Sequence, residues 1–150
     1  MCLGGRVRLI SHRGNLLGPD HEKENSPEYI MDALEAGFDV EVDVWHHDFD
    51  GLYLGHDYPK YKIEIDFLKN DSIWCHAKDL RALSTMISNN IKCFWHQKDD
   101  YTLTTNNLIW TYPGKRVCEK TIIVCRDLRE TRVFRGSSVY GICSDYVGEV

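Results

Sequence analysis

The chain has 150 residues, a formal net charge of −5 and 43% hydrophobic residues, enough for a single domain over 1–150 with a real core. The acidic balance argues against nucleic acid as a partner, because proteins that bind phosphate backbones are usually basic. No stretch reaches the about 18 consecutive apolar residues of a membrane helix, and "MCLGGRVRLI" lacks the apolar core and small-residue cleavage site of a secretory signal.

The six cysteines (Cys2, Cys75, Cys93, Cys118, Cys125 and Cys143) form no CxxC pair. They read as reduced, buried small hydrophobes of a cytoplasmic protein. A disulfide framework is the alternative.

In chain order, "VRLIS" (7–11) is a first strand. "NSPEYIMDALEAG" is a helix: Ser26 caps it, Pro27 suits its first position, Ile30, Ala33 and Leu34 form its apolar stripe, and Gly37 stops it. "FDVEVDVW" (38–45) is a second strand. "FDGLYLGHD" reads as a hairpin excursion turning at Asp50-Gly51. "SIWCHAK" (72–78) is a third strand. The helix "DLRALSTMISNN" follows, capped by Asp79, with Leu80, Leu83 and Ile87 on one face. "KCFWHQ", "NLIWTYPG" and "KTIIVCRD" are further strands, a short piece around Val133 is another, and "VYGICSDYV" is the last.

Strands alternating with helices point to a parallel sheet. Residues 93–108 and 112–120 show no helical stripe, and a (β/α)₈ barrel runs to about 250 residues, about 200 at the low end. The expected fold is therefore α/β: a compact TIM-type (β/α) barrel with several helices missing or shortened in its second half. An open doubly wound sheet is the alternative, and it needs those helices on both faces.

Alternation along "DVEVDVW" puts Val40, Val42 and Val44 on one face and Glu41 and Asp43 on the other. A half-exposed strand with a solvated acidic face accounts for this blandly. In an internal strand, however, two acids about 7 Å apart repel and resist desolvation, and a shared divalent cation with oxygen ligands offsets both costs. In "SIWCHAK", His76 and Lys78 share a face with Trp74, and Lys78 supplies charge for a phosphoryl group or is a plain surface lysine. His12 and Arg13 end the first strand, and the hairpin returns His56 and Asp57. Two histidines near a metal suit phosphoester cleavage, one taking a proton and one giving it, with Asp57 orienting a ring.

"HRG" at 12–14, "EN" at 24–25, "EVDV" at 41–44 and "GHD" at 55–57 resemble, in order and spacing, the N-terminal motifs of the glycerophosphodiester phosphodiesterase family, within the phosphatidylinositol phospholipase C-like phosphodiesterases. "HAKDL" looks like the family's third-strand motif and "GICSDYV" like its last-strand motif, while 92–135 matches loosely. The resemblance implies a TIM barrel with His12 and His56 as the acid/base pair, Glu41 and Asp43 as metal ligands, and Arg13 and Lys78 on phosphate. Glu24 and Asn25 would sit at the mouth beside metal and substrate. It also implies attack by a neighbouring substrate hydroxyl, a cyclic phosphate, then hydrolysis of a small glycerophosphodiester or related phospholipid-headgroup diester.

Two departures stand out. His76 occupies the place of the family's third carboxylate ligand, so a site holding Mg²⁺ or Ca²⁺ by resemblance should shift toward Mn²⁺ or Zn²⁺; otherwise His76 turns away and water takes that position. The chain is also short: only 58–71 is left to cover the mouth, and Phe94, Trp95 and Trp110 are candidates for an exposed barrel wall, covered by a homodimer or by loops. The competing functions are a catalytically weak or inactive barrel that binds a phosphorylated ligand or partner, and a lyase that stops at the cyclic phosphate.

Overall fold

A computed structural model describes residues 5–150; Cys2 lies outside the described residues. Among them the elements run β1 (Arg8–His12), α1 (Pro27–Glu35), β2 (Asp39–His47), β3 (Gly51–Leu54), β4 (Tyr61–Ile63), β5 (Ile73–Ala77), α2 (Leu80–Ser88), β6 (Cys93–Phe94), β7 (Tyr101–Leu103), β8 (Ile109–Thr111), β9 (Thr121–Val124), α3 (Leu128–Arg135) and β10 (Gly141–Ser144). Two 3-10 turns sit at Ile65–Lys69 and Val147–Glu149.

The β-branched runs form strands because both of their faces find cover. They make one mixed sheet. Its parallel part runs β6-β5-β2-β1-β10-β9-β8, and β3, β4 and β7 add antiparallel pairs. β2 is long enough to serve three neighbours: β1 at its start, β5 along its middle and β3 at its end. The sheet curls until Phe94 of β6 stacks on Trp110 of β8, ring centroids 4.2 Å apart. The Thr105 N–H also donates to the Cys93 carbonyl at 2.9 Å.

This corrects the expected TIM-type (β/α) barrel. That fold needs eight parallel strands, each followed by a helix. Here the chain is a curled mixed sheet, a half-barrel, with three short α-helices. The physical reason is the connections. After β2 the chain doubles back as β3 and β4, and after β6 it returns as the β7–β8 hairpin, so neither stretch is a crossover helix. No ladder joins β6 to β8 among the described residues.

Ser26 caps α1 by accepting from the Tyr29 N–H, Pro27 occupies its first turn, and Ile30 and Ala33 are buried. Asp79 caps α2 through the Ala82 N–H at 2.7 Å. The buried residues of α2 are Ala82 and Met86, whereas Leu80 and Ile87 are exposed, so its stripe is rotated from the expected one. Val133 lies on α3, not on a strand. Asp127 caps that helix through the Glu130 N–H, and Thr131 is its buried residue. Cys75, Cys93, Cys125 and Cys143 are buried free thiols, as expected, but Cys118 is exposed.

Val40, Val42, Val44, Ile73, Cys75 and Ala77 pack outward under α1 and α2. Truncating a fully buried Ile30 or Met86 to alanine should cost about 2–5 kcal/mol. The opposite face lines the inside of the curl with Ile10, Trp74, Phe94, Trp110, Ile122 and Cys143. Phe94 and Trp110 therefore lie in the interior and form no exposed wall, and Trp95 is half-buried against the outer core. This removes the apolar surface that suggested a homodimer. At the amino ends of the strands the curl is plugged by Asp39, which accepts from Trp74 Nε1 at 2.8 Å and pairs with Arg8 at 3.1 Å. No helix among the described residues is long and apolar enough to cross a membrane.

Candidate metal and acid-base centre

At the carboxyl ends of the strands, register builds the site. His12 is the partner of Glu41 across β1 and β2, and Asp43 is the partner of His76 across β2 and β5. Register partners in a parallel sheet point to the same face, so one imidazole stands beside each carboxylate. Glu41 is 3% exposed and Asp43 is fully buried. The acidic face of β2 thus looks into the curl, not into solvent.

Glu41, Asp43 and His76 each offer a ligand atom, and these atoms lie within 4.8 Å of one another. His76 Nδ1 is 3.2 Å from Asp43 Oδ1 and 3.7 Å from Glu41 Oε1. Its Nε2 donates to the His96 carbonyl at 2.9 Å; the reverse contact, His96 N–H to Nε2, is longer at 3.4 Å. With Nε2 turned to the His96 backbone, Nδ1 faces the two carboxylates, where it can join them as a ligand. Glu41 Oε2 and Asp43 Oδ1 are buried without a hydrogen-bond partner. Two orphaned carboxylate oxygens and an oriented imidazole nitrogen fit a divalent cation.

Burial pushes the Glu41 carboxyl up, and the neighbouring Asp43 charge pushes it further. Burial opposes ionisation of Asp43 as well, but the His56 and His76 rings and the Arg13 guanidinium outweigh it and hold Asp43 well below the usual carboxylate range. The two acids are therefore pushed apart by their surroundings.

Arg13 turns out of β1 with φ +60, its N–H held by the Glu41 carbonyl at 2.9 Å. Its Nε lies 3.0 Å from Asp43 Oδ2, and its Nη1 donates to Glu24 Oε2 at 3.2 Å. Asn25, fully buried with φ +64, grips Asp43 twice: Nδ2 donates to Oδ2, and Oδ1 accepts the Asp43 N–H, both at 2.9 Å. Of the two residues expected at the mouth, Glu24 supports Arg13 and lines a cavity with Gly55, His56 and Tyr58, and the buried Asn25 supports Asp43. Lys78 Nζ is 3.7 Å from Asp43 Oδ1. His56, 43% exposed, places Nδ1 3.6 Å from Asp43 Oδ2 and Nε2 3.6 Å from the exposed Asp57. The site residues singled out in the sequence thus converge here, except that Asp57 stands exposed on the outer side of His56.

Three further site residues were not singled out. Asp145, just past β10, accepts from His12 Nδ1 at 2.8 Å, while His12 Nε2 lies 3.8 Å from Glu41 Oε2. Burial disfavours charge on His12, but the Asp145 hydrogen bond and the Glu41 charge raise its pKa above the ordinary histidine value. Asn15 donates to both Asp145 and Glu24. His96 supplies the carbonyl that orients His76. The signal for Asp145 was present: it stands one residue past Ser144 of the last strand, as His12 stands one residue past Ser11, the partner of Ser144, in the first. Nothing in the sequence distinguishes Asn15 from any other loop asparagine.

His12, Arg13, Glu41, His56, His76 and Lys78 line one cavity of about 360 Å³, with Trp110, Tyr112 and Pro113 on its far wall. That space takes a small ligand. Positive groups at Arg13 and Lys78, two imidazoles and a buried acidic pair can bind an oxyanion and move protons at its ester oxygens. No protein-family model matches the chain, and no curated protein matches it.

Proposed function

We propose that the chain is a metal-dependent phosphodiesterase acting on a small glycerophosphodiester or related headgroup diester, as its resemblance to the glycerophosphodiester phosphodiesterases implies. The observation that carries this is that Glu41 and His76 line one cavity with His12, His56, Arg13 and Lys78, while Asp43, buried behind them, offers a ligand atom within 4.8 Å of those of Glu41 and His76.

Arg13 and Lys78 bind the phosphoryl oxygens. His12, its Nδ1–H held by Asp145, presents Nε2 as the base that takes the proton of an attacking substrate hydroxyl. His56, at the mouth, protonates the departing ester oxygen. A cyclic phosphate and an alcohol result, and water opens the ring with the two histidines exchanging roles. Glu41, Asp43 and His76 would hold a divalent cation, which would supply positive charge for the phosphoryl oxygens. Asn25 and Arg13 keep Asp43 ionised and oriented for it.

One observation favours a second reading, a module that binds a phosphorylated ligand without turning it over. Asp43 already has Arg13, His56, His76 and Lys78 around it, and cations of the chain itself compete with a metal there. The test is cleavage of 2-hydroxypropyl 4-nitrophenyl phosphate, a chromogenic diester that carries the neighbouring hydroxyl the mechanism needs, with and without EDTA, in wild type and His12→Ala. Metal-dependent turnover lost in the variant supports the enzyme; phosphate binding without turnover supports the module. Phosphorus NMR of the products separates a hydrolase from a cyclising lyase.

A further inference from the structure

Asn15 begins the loop after β1, fully buried, with every side-chain polar atom engaged. Its Nδ2 donates to Glu24 Oε1 and to Asp145 Oδ1, both at 2.9 Å. Its Oδ1 accepts the Asp20 N–H at 3.0 Å and the Tyr29 hydroxyl at 3.2 Å. Each of the two carboxylates then reaches one residue that lines the cavity. Asp145 Oδ1 accepts from His12 Nδ1 at 2.8 Å, and Glu24 Oε2 accepts from Arg13 Nη1 at 3.2 Å. Six side chains thus run in one line: His12, Asp145, Asn15, Glu24, Arg13 and Asp43.

We propose that Asn15 is a positioning residue that fixes the base His12 and the phosphate-binding Arg13 relative to each other, a role that rests on the phosphodiesterase reading above. Two carboxylates converge on one point and repel. A neutral amide nitrogen gives each of them one N–H, so it joins them without adding charge. A serine has one donor and an aspartate none, and a lysine adds charge. Fully satisfied networks of this kind fix a single geometry. The turn around Asn15 is built to hold it. Gly14 has φ +98, and a Cβ there would come within 2.6 Å of the Tyr29 ring. Tyr29 is therefore pressed against the turn and brings its hydroxyl to Asn15. The bridge also spans the fold, since Asp145 follows β10 while Glu24 precedes α1.

The test compares wild type with Asn15→Asp, which matches the shape but replaces both donors, and Asn15→Ser, which keeps one donor and serves if the aspartate does not fold. Folding is checked by thermal unfolding. The first readout is kcat and KM on 2-hydroxypropyl 4-nitrophenyl phosphate. The second is the NMR signal of the His12 Nδ1–H, which needs no turnover. With positioning, kcat falls about 10- to 100-fold, as when an orienting partner is lost, KM rises through Arg13, and the Nδ1–H signal disappears into solvent exchange. Asn15→Ser combined with Asp145→Ala lowers kcat no further than Asp145→Ala alone. Unchanged kcat and KM with an intact Nδ1–H signal overturn the proposal, and so do fully additive losses. Absence of turnover in wild type sinks the phosphodiesterase reading only; the Nδ1–H signal then decides alone whether Asn15 holds His12.

Discussion

His76 and Asp43 are register partners on adjacent parallel strands, and His76 aims Nδ1 at Asp43 Oδ1 from 3.2 Å while its Nε2 is taken by the His96 carbonyl. The ring cannot turn away without losing that bond. The metal preference follows. Two carboxylates and one nitrogen favour Mn²⁺ or Zn²⁺ over Ca²⁺, which prefers an all-oxygen shell. Calorimetric titration should rank Mn²⁺ and Zn²⁺ above Ca²⁺, and His76→Ala should weaken the first two by at least about tenfold. Tight Ca²⁺ binding that ignores the substitution argues against His76 as a ligand.

The His12–Asp145 pair gives a pH dependence with a definite sign. Burial opposes ionisation of Asp145 and of Glu24, but the His12 and Asn15 hydrogen bonds lower the first, and the Asn15 bond and Arg13 charge lower the second. Their stabilisation is present above the ordinary values of 3.8 and 4.5 and is lost as pH falls through the lower folded values. His12 is raised, so its contribution is full below 6.5 and is lost as pH rises through its folded value. Thermal stability should peak between these limits, at about pH 5–6.5. Asp145→Asn should flatten the alkaline fall; an unaltered profile would count against the pair.

Gly55 positions His56. Its φ is +156, and a Cβ there would lie 2.0 Å from the Tyr58 carbonyl oxygen and 3.1 Å from the Lys60 nitrogen, both backbone atoms. Its own carbonyl accepts from Trp45 Nε1 at 2.7 Å. Gly55→Ala should cost at least about 1–3 kcal/mol of stability and displace His56. Turnover should fall more than metal affinity, because His56 is not among the ligands. Equal turnover in the alanine variant contradicts this.

At the opposite end of the curl, Asp39 ties Trp74 to Arg8 away from the candidate site. Asp39→Ala leaves the Trp74 Nε1–H buried without its acceptor and frees Arg8. Urea unfolding should show a loss of about 1–3 kcal/mol, with metal affinity and turnover unchanged at temperatures where the variant is folded. A large loss of metal binding would mean the two ends are coupled.

Much of the site was legible because strand alternation and parallel register are local rules. Glu41, Asp43 and His76 follow from counting by twos along β2 and β5, and His12 from where β1 ends. The fold class was not legible in the same way. β4 and β7 are three residues each, too short for alternation to mark them, so the antiparallel additions they make to the sheet were not legible beyond the hairpin turn at Asp50-Gly51. The aromatic pair Phe94 and Trp110 looked like uncovered wall, since their burial depends on how far the sheet curls. Val133 looked like strand because a β-branched residue in a short apolar patch outweighed Asp127 and Glu130, a cap signal at the right spacing. Asn15 bonds Glu24 nine positions on and Asp145 130 positions on, and no local pattern encodes the second partner.

The most direct measurement is anomalous diffraction from crystals soaked in Mn²⁺. The expected result is one strong peak at coordination distance from Glu41, Asp43 and His76 Nδ1, with His12 and His56 on either side. A peak elsewhere, or none at saturating Mn²⁺ with Arg13 and Lys78 still closed on Asp43, would contradict a cation held by the acidic face of β2.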